Sequence, residues 1–362
     1  MGAIGAVILS RAAAFFAEVL AVLHFTPRMG RTSRRYFLGL IGSAVLPMAT
    51  AVAQPALPAA SAQPYPSKPV HIIVPFPPGG YTDATARIIA QSLTERLGQP
   101  FVVDNRPGAG TVIGTEAAAR AQPDGYTLLL TGSSTFTVNP VLLQRLPYDP
   151  LKSFVTVGIV TRTPLVLLVH PSFPANSVGE LVALASASPG KYAYGSFGAG
   201  TISHFAGEAF AAATGVRILH VPYKGSAPLM NDLLGGQVPI SFDTLVVAAP
   251  QMRSGKVKAL AVLTKDRASL FPLVPTLAES GYPGFDLGTW VALSSAAGTP
   301  AAVIQKLREE VTVIVTQKDV VARFEALGVE GVKPTAEEFE RIVQTDLQRF
   351  AKIARDANIK AE

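Results

Sequence analysis

One local pattern constrains this chain more than any other feature. A short apolar run is followed by a Gly- or Pro-bearing turn and then by an amphipathic segment, and the pattern recurs along the chain. Val70–Val74 is broken by Pro75-Phe76-Pro77-Pro78-Gly79-Gly80. A helical pattern then runs from Thr82 to Leu97, with Ile89, Leu93 and Leu97 on one face and Gly98 as its stop. Phe101–Asp104 leads through Pro107-Gly108-Ala109-Gly110 into a short helix, Val112–Ala121, and Pro123-Asp124-Gly125 turns the chain into Tyr126–Leu130. Strands this short, separated by helices, are expected to form an open parallel α/β sheet.

The unit returns further on. Leu165–Val169 reads as a strand, and Ser177-Val178-Gly179-Glu180 is a capping box that opens a helix to Ser186. Tyr192–Tyr194 precedes Gly195-Ser196-Phe197-Gly198-Ala199-Gly200 and a helix from Ile202 to Thr214. Ile218–Val221, Pro239–Phe242 and Ala259–Leu263 are further strands. Thr299-Pro300 and the capping box Thr335-Ala336-Glu337-Glu338 start helices in the tail, the second running to Asn358. Residues 166–289 read as an α/β unit of their own, inserted into a domain made of 63–165 and 290–362. The two chain crossings between them would form a hinge.

Charge and composition narrow the function classes. The net charge is +6, but residues 1–62 hold five Arg against the single acid Glu18, leaving only two net positive charges on the rest. That distribution gives no nucleic-acid footprint. With no Cys, the chain has no disulfide, thiolate metal site or cysteine nucleophile. The histidines after the leader lack metal-ligand spacing, so no metal is expected, and no cofactor either. The leader itself has the form of an export signal. Ser33-Arg34-Arg35-Tyr36-Phe37-Leu38 is a twin-arginine pattern, followed by an uncharged run to Ala62 with small-residue exits at Ala51-Val52-Ala53 and Ala60-Ser61-Ala62. Met29, directly before Gly30-Arg31, would give the more compact start.

Two loops resemble each other and are the candidate site. Phe76 to Asp83 (with Pro78, Gly79, Gly80, Tyr81 and Thr82) and Gly198 to His204 (with Ala199, Gly200, Thr201 and Ser203) each carry strand, Gly turn and hydroxyl residue into a helix start. Gly lets backbone N–H groups approach a ligand, and a helix start adds unpaired donors and partial positive charge. A positive φ is expected at Gly80. Facing each other across a cleft, the loops would clamp an anion, Arg87 being locally paired or solvated instead of binding. Thr131, Ser133 and Ser134 after the strand Tyr126–Leu130, and Asp243 at the end of Pro239–Phe242, stand at strand ends where open sheets bind ligands. Tyr223-Lys224-Gly225 is a further polar strand end. Gly108 to Gly114 is one residue too long for a dinucleotide fingerprint.

The chain resembles the Bug-type, TctC-like solute receptors of tripartite tricarboxylate transporters. The matching stretches are Pro75 to Asp83, Asn105 to Gly110, Pro123 to Leu128, His220 to Gly225 and Thr299-Pro300, spread over nearly all of residues 64–362. The resemblance implies a two-lobed periplasmic binding protein of type II-like fold, each lobe an open, mostly parallel sheet flanked by helices, with the ligand cleft between lobes. It implies a monomer that binds a small carboxylate (di- or tricarboxylate, aromatic acid or acidic amino acid) through backbone N–H groups and ordered water at 76–83 and 198–204. It implies as partners membrane permease subunits or a sensor-kinase ectodomain. Two readings from other classes stay open: an exported serine hydrolase using Ser203 and His204, although the nucleophile-elbow pentapeptide is absent, and a non-binding scaffold.

Overall fold

The computed structural model describes residues 65–359, so the leader, 1–62, lies outside the described residues. Among the described residues no helix is long and apolar enough to cross a membrane. The elements in order are β1 (Val70–Val74), α1 (Tyr81–Leu97), β2 (Phe101–Asn105), α2 (Val112–Ala119), β3 (Thr127–Gly132), α3 (Asn139–Leu142) and β4 (Phe154–Val169). There follow α4 (Val178–Ala187), β5 (Ala193–Ser196), α5 (Ile202–Thr214), β6 (Leu219–Pro222), α6 (Ser226–Leu234), β7 (Ile240–Thr244), α7 (Leu245–Arg253) and β8 (Lys258–Val262). The chain closes with β9 (Gly288–Ala296), α8 (Ala301–Ile314), α9 (Lys318–Leu327), the short β10 (Glu330–Gly331) and α10 (Ala336–Asp356).

The expected capping boxes form. Ser177 Oγ accepts from the Glu180 N–H at 3.2 Å and Thr335 Oγ1 from the Glu338 N–H at 3.1 Å. Each satisfies a donor that the first helical turn leaves orphaned. Gly98 and Gly215 end their helices in the left-handed region, as their positions predict.

The fold is two-lobed α/β, and its sheet is mixed. The strand order is β2-β1-β3-β9-β4-β7-β5-β6, with β8 and β10 also on β4. Pairing is parallel in β1/β2, β1/β3, β5/β6 and β5/β7, the strand–helix–strand units read from the sequence. It is antiparallel wherever β4 or β9 takes part. The mostly parallel expectation therefore holds only for the outer strands: β9 returns from far along the chain and inserts between β3 and β4. The strand read as Leu165–Val169 is only the end of β4, which is 16 residues long. Its first part, Phe154–Pro164, pairs with β9, and Leu165–Val169 pairs with β7 and β8. One strand thus joins the two halves of the sheet.

Each half covers its sheet with helices. In the first half Ile72, Val74, Ile89, Leu93, Leu128, Leu293, Leu307 and Val311 pack together, all buried. In the second, Leu165–Val169, Tyr194, Phe205, Phe210, Leu229 and Phe242 form the core, joined by Phe350 and Ala354 of α10. Burying aliphatic and aromatic side chains of this size contributes about 1.5–3 kcal/mol each before entropy is subtracted. The result is a rigid frame that presents strand ends and helix starts to one cavity.

Candidate functional site

The cavity between the halves is lined by both. From the first come Phe76, Gly80, Tyr81, Thr82, Ser133, Ser134 and the β9 residues Thr289 to Val291; from the second, Phe197, Ile202, Gly225, Ser226 and Thr244. The cavity itself has a volume of about 30 Å³, room for one or two water molecules between the halves as they stand. The starts of four helices converge here: α1 (Gly80, Tyr81), α5 (Ile202), α6 (Gly225, Ser226) and α7 (Thr244). None of the four N-cap residues caps its own helix with a side chain. N–H groups and the positive ends of the helix dipoles are thereby left for other partners. Among the described residues lining the cavity there is no Lys, Arg or His.

The first loop is shaped by a buried ionic brace. The Asp83 carboxylate accepts from the Gly79 N–H at 3.0 Å, from Arg87 at 2.9 and 3.0 Å, and from Asn105 Nδ2 at 3.0 Å. Asn105 Nδ2 also donates to the Phe76 carbonyl at 3.0 Å, tying both ends of the loop to β2. Burial pushes the Asp83 carboxyl up, but Arg87, the Gly79 amide and Asn105 outweigh it and hold the group below its usual range. Asp83 is a brace behind the cavity, and Arg87 is half-exposed and paired to it. The positive φ falls on Gly79 (φ 92), whereas Gly80 is extended at φ −90, one residue from the sequence expectation. A Cβ on Gly80 would sit 3.8 Å from the Ser226 Cβ across the cleft, an ordinary van der Waals contact, so neither its φ nor the space at the first carbon requires glycine there.

The second loop is held by a buried serine, main-chain groups and a histidine. Ser203, fully buried, donates its Oγ–H to the Phe242 carbonyl, and its oxygen accepts from the Phe197 N–H at 3.3 Å. His204 Nδ1 accepts from the Gly200 N–H at 3.4 Å, and its ring stacks on His220 at 4.2 Å. Thr201 Oγ1 donates to the Gly198 carbonyl at 2.6 Å, and Gly200 takes φ 74. The halves meet where the Ile202 N–H at the start of α5 donates to Ser134 Oγ at 3.1 Å. Phe76 and Phe197 meet edge-to-face, centroids 6.2 Å apart.

Of the residues expected from the sequence, Phe76, Gly80, Tyr81, Thr82, Ser133 and Ser134 line the cavity. Gly198, Ala199 and Thr201 line an adjoining pocket on the far side of the Phe76–Phe197 pair, with Pro107 to Thr111 and Lys224. Gly79, Asp83, Gly200, Ser203 and His204 support the loops, and Pro78 is exposed. Thr131 is buried behind the wall, 2.7 Å from Thr135 Oγ1. Asp243 is fully buried one layer back, its Oδ1 accepting from Ser226 Oγ at 2.8 Å and the Thr244 N–H at 2.7 Å. Burial pushes its carboxyl up to about 6 against the pull of those hydrogen bonds. Sequence reasoning missed Ser226, Thr244, Thr289 and Trp290. Gly225-Ser226 repeats the strand–Gly–hydroxyl signal of the two candidate loops, whereas Thr289 and Trp290 arrive by long-range strand pairing.

A two-lobed fold closing on a cavity rimmed by helix starts defines the class of solute-binding receptors. The model of the tripartite tricarboxylate transporter family receptor matches residues 85–359. Protein BugT of Bordetella pertussis is 41% identical over 290 residues, covering 80% of this chain and 89% of that protein. Among solved structures, R. palustris Rpa4515 with adipate superposes with a TM-score of 0.80 at 33% identity, covering 82% of this chain and 99% of that one. MatC from Rhodopseudomonas palustris with bound malate gives 0.76 at 32% identity, covering 80% and 99%. The chain belongs to the tripartite tricarboxylate transporter receptor family, among its Bug-type members.

Proposed function

We propose that the protein is an extracytoplasmic receptor that holds a small carboxylate in the interlobe cavity and presents it to a membrane permease or a sensor. The observation that carries this is the convergence of four helix starts on a cavity whose described lining has no basic side chain. A site of that kind binds an anion through backbone N–H groups and helix dipoles. That relatives were solved with adipate and with malate supports a small carboxylate as the anion. The residues in contact are then Gly80, Tyr81, Thr82, Ser133 and Ser134 on one side and Ile202, Ser226 and Thr244 on the other.

The lobes are assigned as 63–165 with 290–362, and 166–289. The hand-over of β4 from β9 to β7 after Pro164, and the start of β9 at Gly288, support these boundaries. The twin-arginine leader would deliver the protein to the periplasm and be removed. Replacing Arg34 and Arg35 by Lys should strand the precursor in the cytoplasm; normal periplasmic yield would contradict that route. Enzymatic turnover is not expected: the Ser203 hydroxyl gives its proton to a main-chain carbonyl and is fully buried, an arrangement that favours structure over nucleophilic attack.

The test is to denature purified protein and identify the released acid by mass spectrometry, then to melt ligand-free protein with mono-, di- and tricarboxylates and aromatic acids. A ligand at a hundredfold excess over its Kd adds about 2.7 kcal/mol to stability. At least one acid should raise the melting temperature, and a blank across the whole set would contradict the proposal.

A further inference from the structure

We infer that the cavity is polarised, so that it selects carboxylates carrying a hydrogen-bond donor, a hydroxyl or an ammonium, at the end that meets Ser226. The inference rests on the carboxylate-receptor reading and narrows its ligand class.

It follows from where two hydroxyl protons go. Asp243 Oδ1 accepts from the Thr244 N–H at 2.7 Å and from Ser226 Oγ at 2.8 Å. An amide N–H can only donate, so Oδ1 accepts from Thr244. The ionised carboxyl has no proton to give, so Oδ1 accepts from Ser226 as well and Ser226 is the donor. A hydroxyl has one proton to give. With that proton committed, Ser226, which lines the cavity, offers the ligand only lone pairs.

Ser134 has the opposite polarity. Its oxygen accepts from the Ile202 N–H at 3.1 Å, so its own proton is left to donate to what the cavity holds. The start of α5 lies at Ser134, its Ile202 N–H bonded to that oxygen, while the start of α1 lies against Ser226, where a Cβ on Gly80 would be 3.8 Å from the Ser226 Cβ. Beneath Ser226, the second Asp243 oxygen is buried with no hydrogen-bond partner, which makes that end less positive than its helix starts alone would. A carboxylate oxygen placed at Ser226 would set lone pair against lone pair, whereas an O–H or N–H of the ligand completes the chain ligand–Ser226–Asp243. The carboxylate thus belongs at the Ser134 end and the donor at the Ser226 end.

The experiment is calorimetric titration of the ligand-free mature protein with matched sets of acids: propionate, lactate and alanine; succinate, malate and aspartate; glutarate, 2-hydroxyglutarate and glutamate; phenylacetate, mandelate and phenylglycine. In whichever set binds, a substituted member should bind about tenfold tighter than its unsubstituted parent, the worth of one well-made hydrogen bond. In Ser226→Ala the ratio should fall to within about twofold. Equal or weaker binding of the substituted acids by the unaltered protein overturns the inference whatever the variant does, as does a ratio that survives Ser226→Ala; both leave the receptor reading standing. Failure of every acid to bind overturns the receptor reading itself.

Discussion

The two loops that face each other across the cleft are braced by different residues. Each carries a strand end through glycine into a helix start. The 76–83 loop is fixed by a charge network in which Asp83 gathers the Gly79 amide, Arg87 and Asn105. The 198–204 loop is fixed by a buried serine bonded to main chain and by a stacked histidine pair. The contrast extends to the nearby aspartates: the Asp83 carboxyl is held below its usual range and that of Asp243 is pushed up to about 6. A helix start can thus be presented to the cavity with no cation in the cavity's lining, its loop braced from behind by an aspartate–arginine pair or by a serine and stacked histidines.

Breaking the serine brace should have the largest effect. Ser203→Ala leaves the Phe242 carbonyl and the Phe197 amide without their partner in a fully buried position. Urea denaturation should show a loss of about 3 kcal/mol.

Next is the pH dependence, where the two aspartates act with opposite sign. Asp243 has a folded pKa of about 6, above the ordinary 3.8, so the folded state binds more protons between those values and stability from this group falls as pH rises through that window. Between pH 4 and 7 the wild-type protein should lose about 2 kcal/mol relative to Asp243→Asn. Asp83, with its pKa depressed, contributes stability that is present above its ordinary range and is lost as pH falls through its folded pKa. The stability of the wild type relative to each Asn variant, followed against pH, would show slopes of opposite sign in these separate windows. Slopes of the same sign would collapse the comparison.

Breaking the ionic brace should cost less. Asp83→Asn keeps an acceptor for the Gly79 amide but loses the charge opposite Arg87, for about 1 kcal/mol in the same assay. Arg87→Ala, removing a half-exposed partner, should cost about 0.3–0.5 kcal/mol.

The two loops also differed in how plainly the sequence announced them. Apart from the tie to Asn105, every part of the first lies within Val70 to Leu97, so Pro75 to Gly80 between an apolar run and a spaced helix marks it directly. Its positive φ was misplaced by one residue because Gly79 and Gly80 are equivalent until the Asp83 bond to the Gly79 amide distinguishes them. In the second half the signal at 198–204 is visible, but its members mostly brace, and the cavity lining passes to the starts of α6 and α7. Gly225-Ser226 had the same local pattern, and Asp243 was singled out for its strand end, yet their hydrogen bond joins residues on separate elements. The mixed sheet had no local signature: Thr289 and Trp290 reach the cavity because β9 pairs with both β3 and β4, and β4 extends through Gly158 and Pro164, residues that read as breaks in a strand.

The central claim is that helix starts, not a basic side chain, hold the ligand. It is tested most directly by calorimetry of the best-binding carboxylate with Gly80→Val, Gly200→Val and Arg87→Ala, each first shown to fold. A valine at Gly80 would push its branches toward Ser226, and one at Gly200 would combine φ 74 with a Cβ 3.2 Å from Asn139 Oδ1. The account predicts that both glycine variants lose measurable binding while Arg87→Ala stays within about threefold of wild type. Lost binding in Arg87→Ala with binding retained in the glycine variants would contradict it.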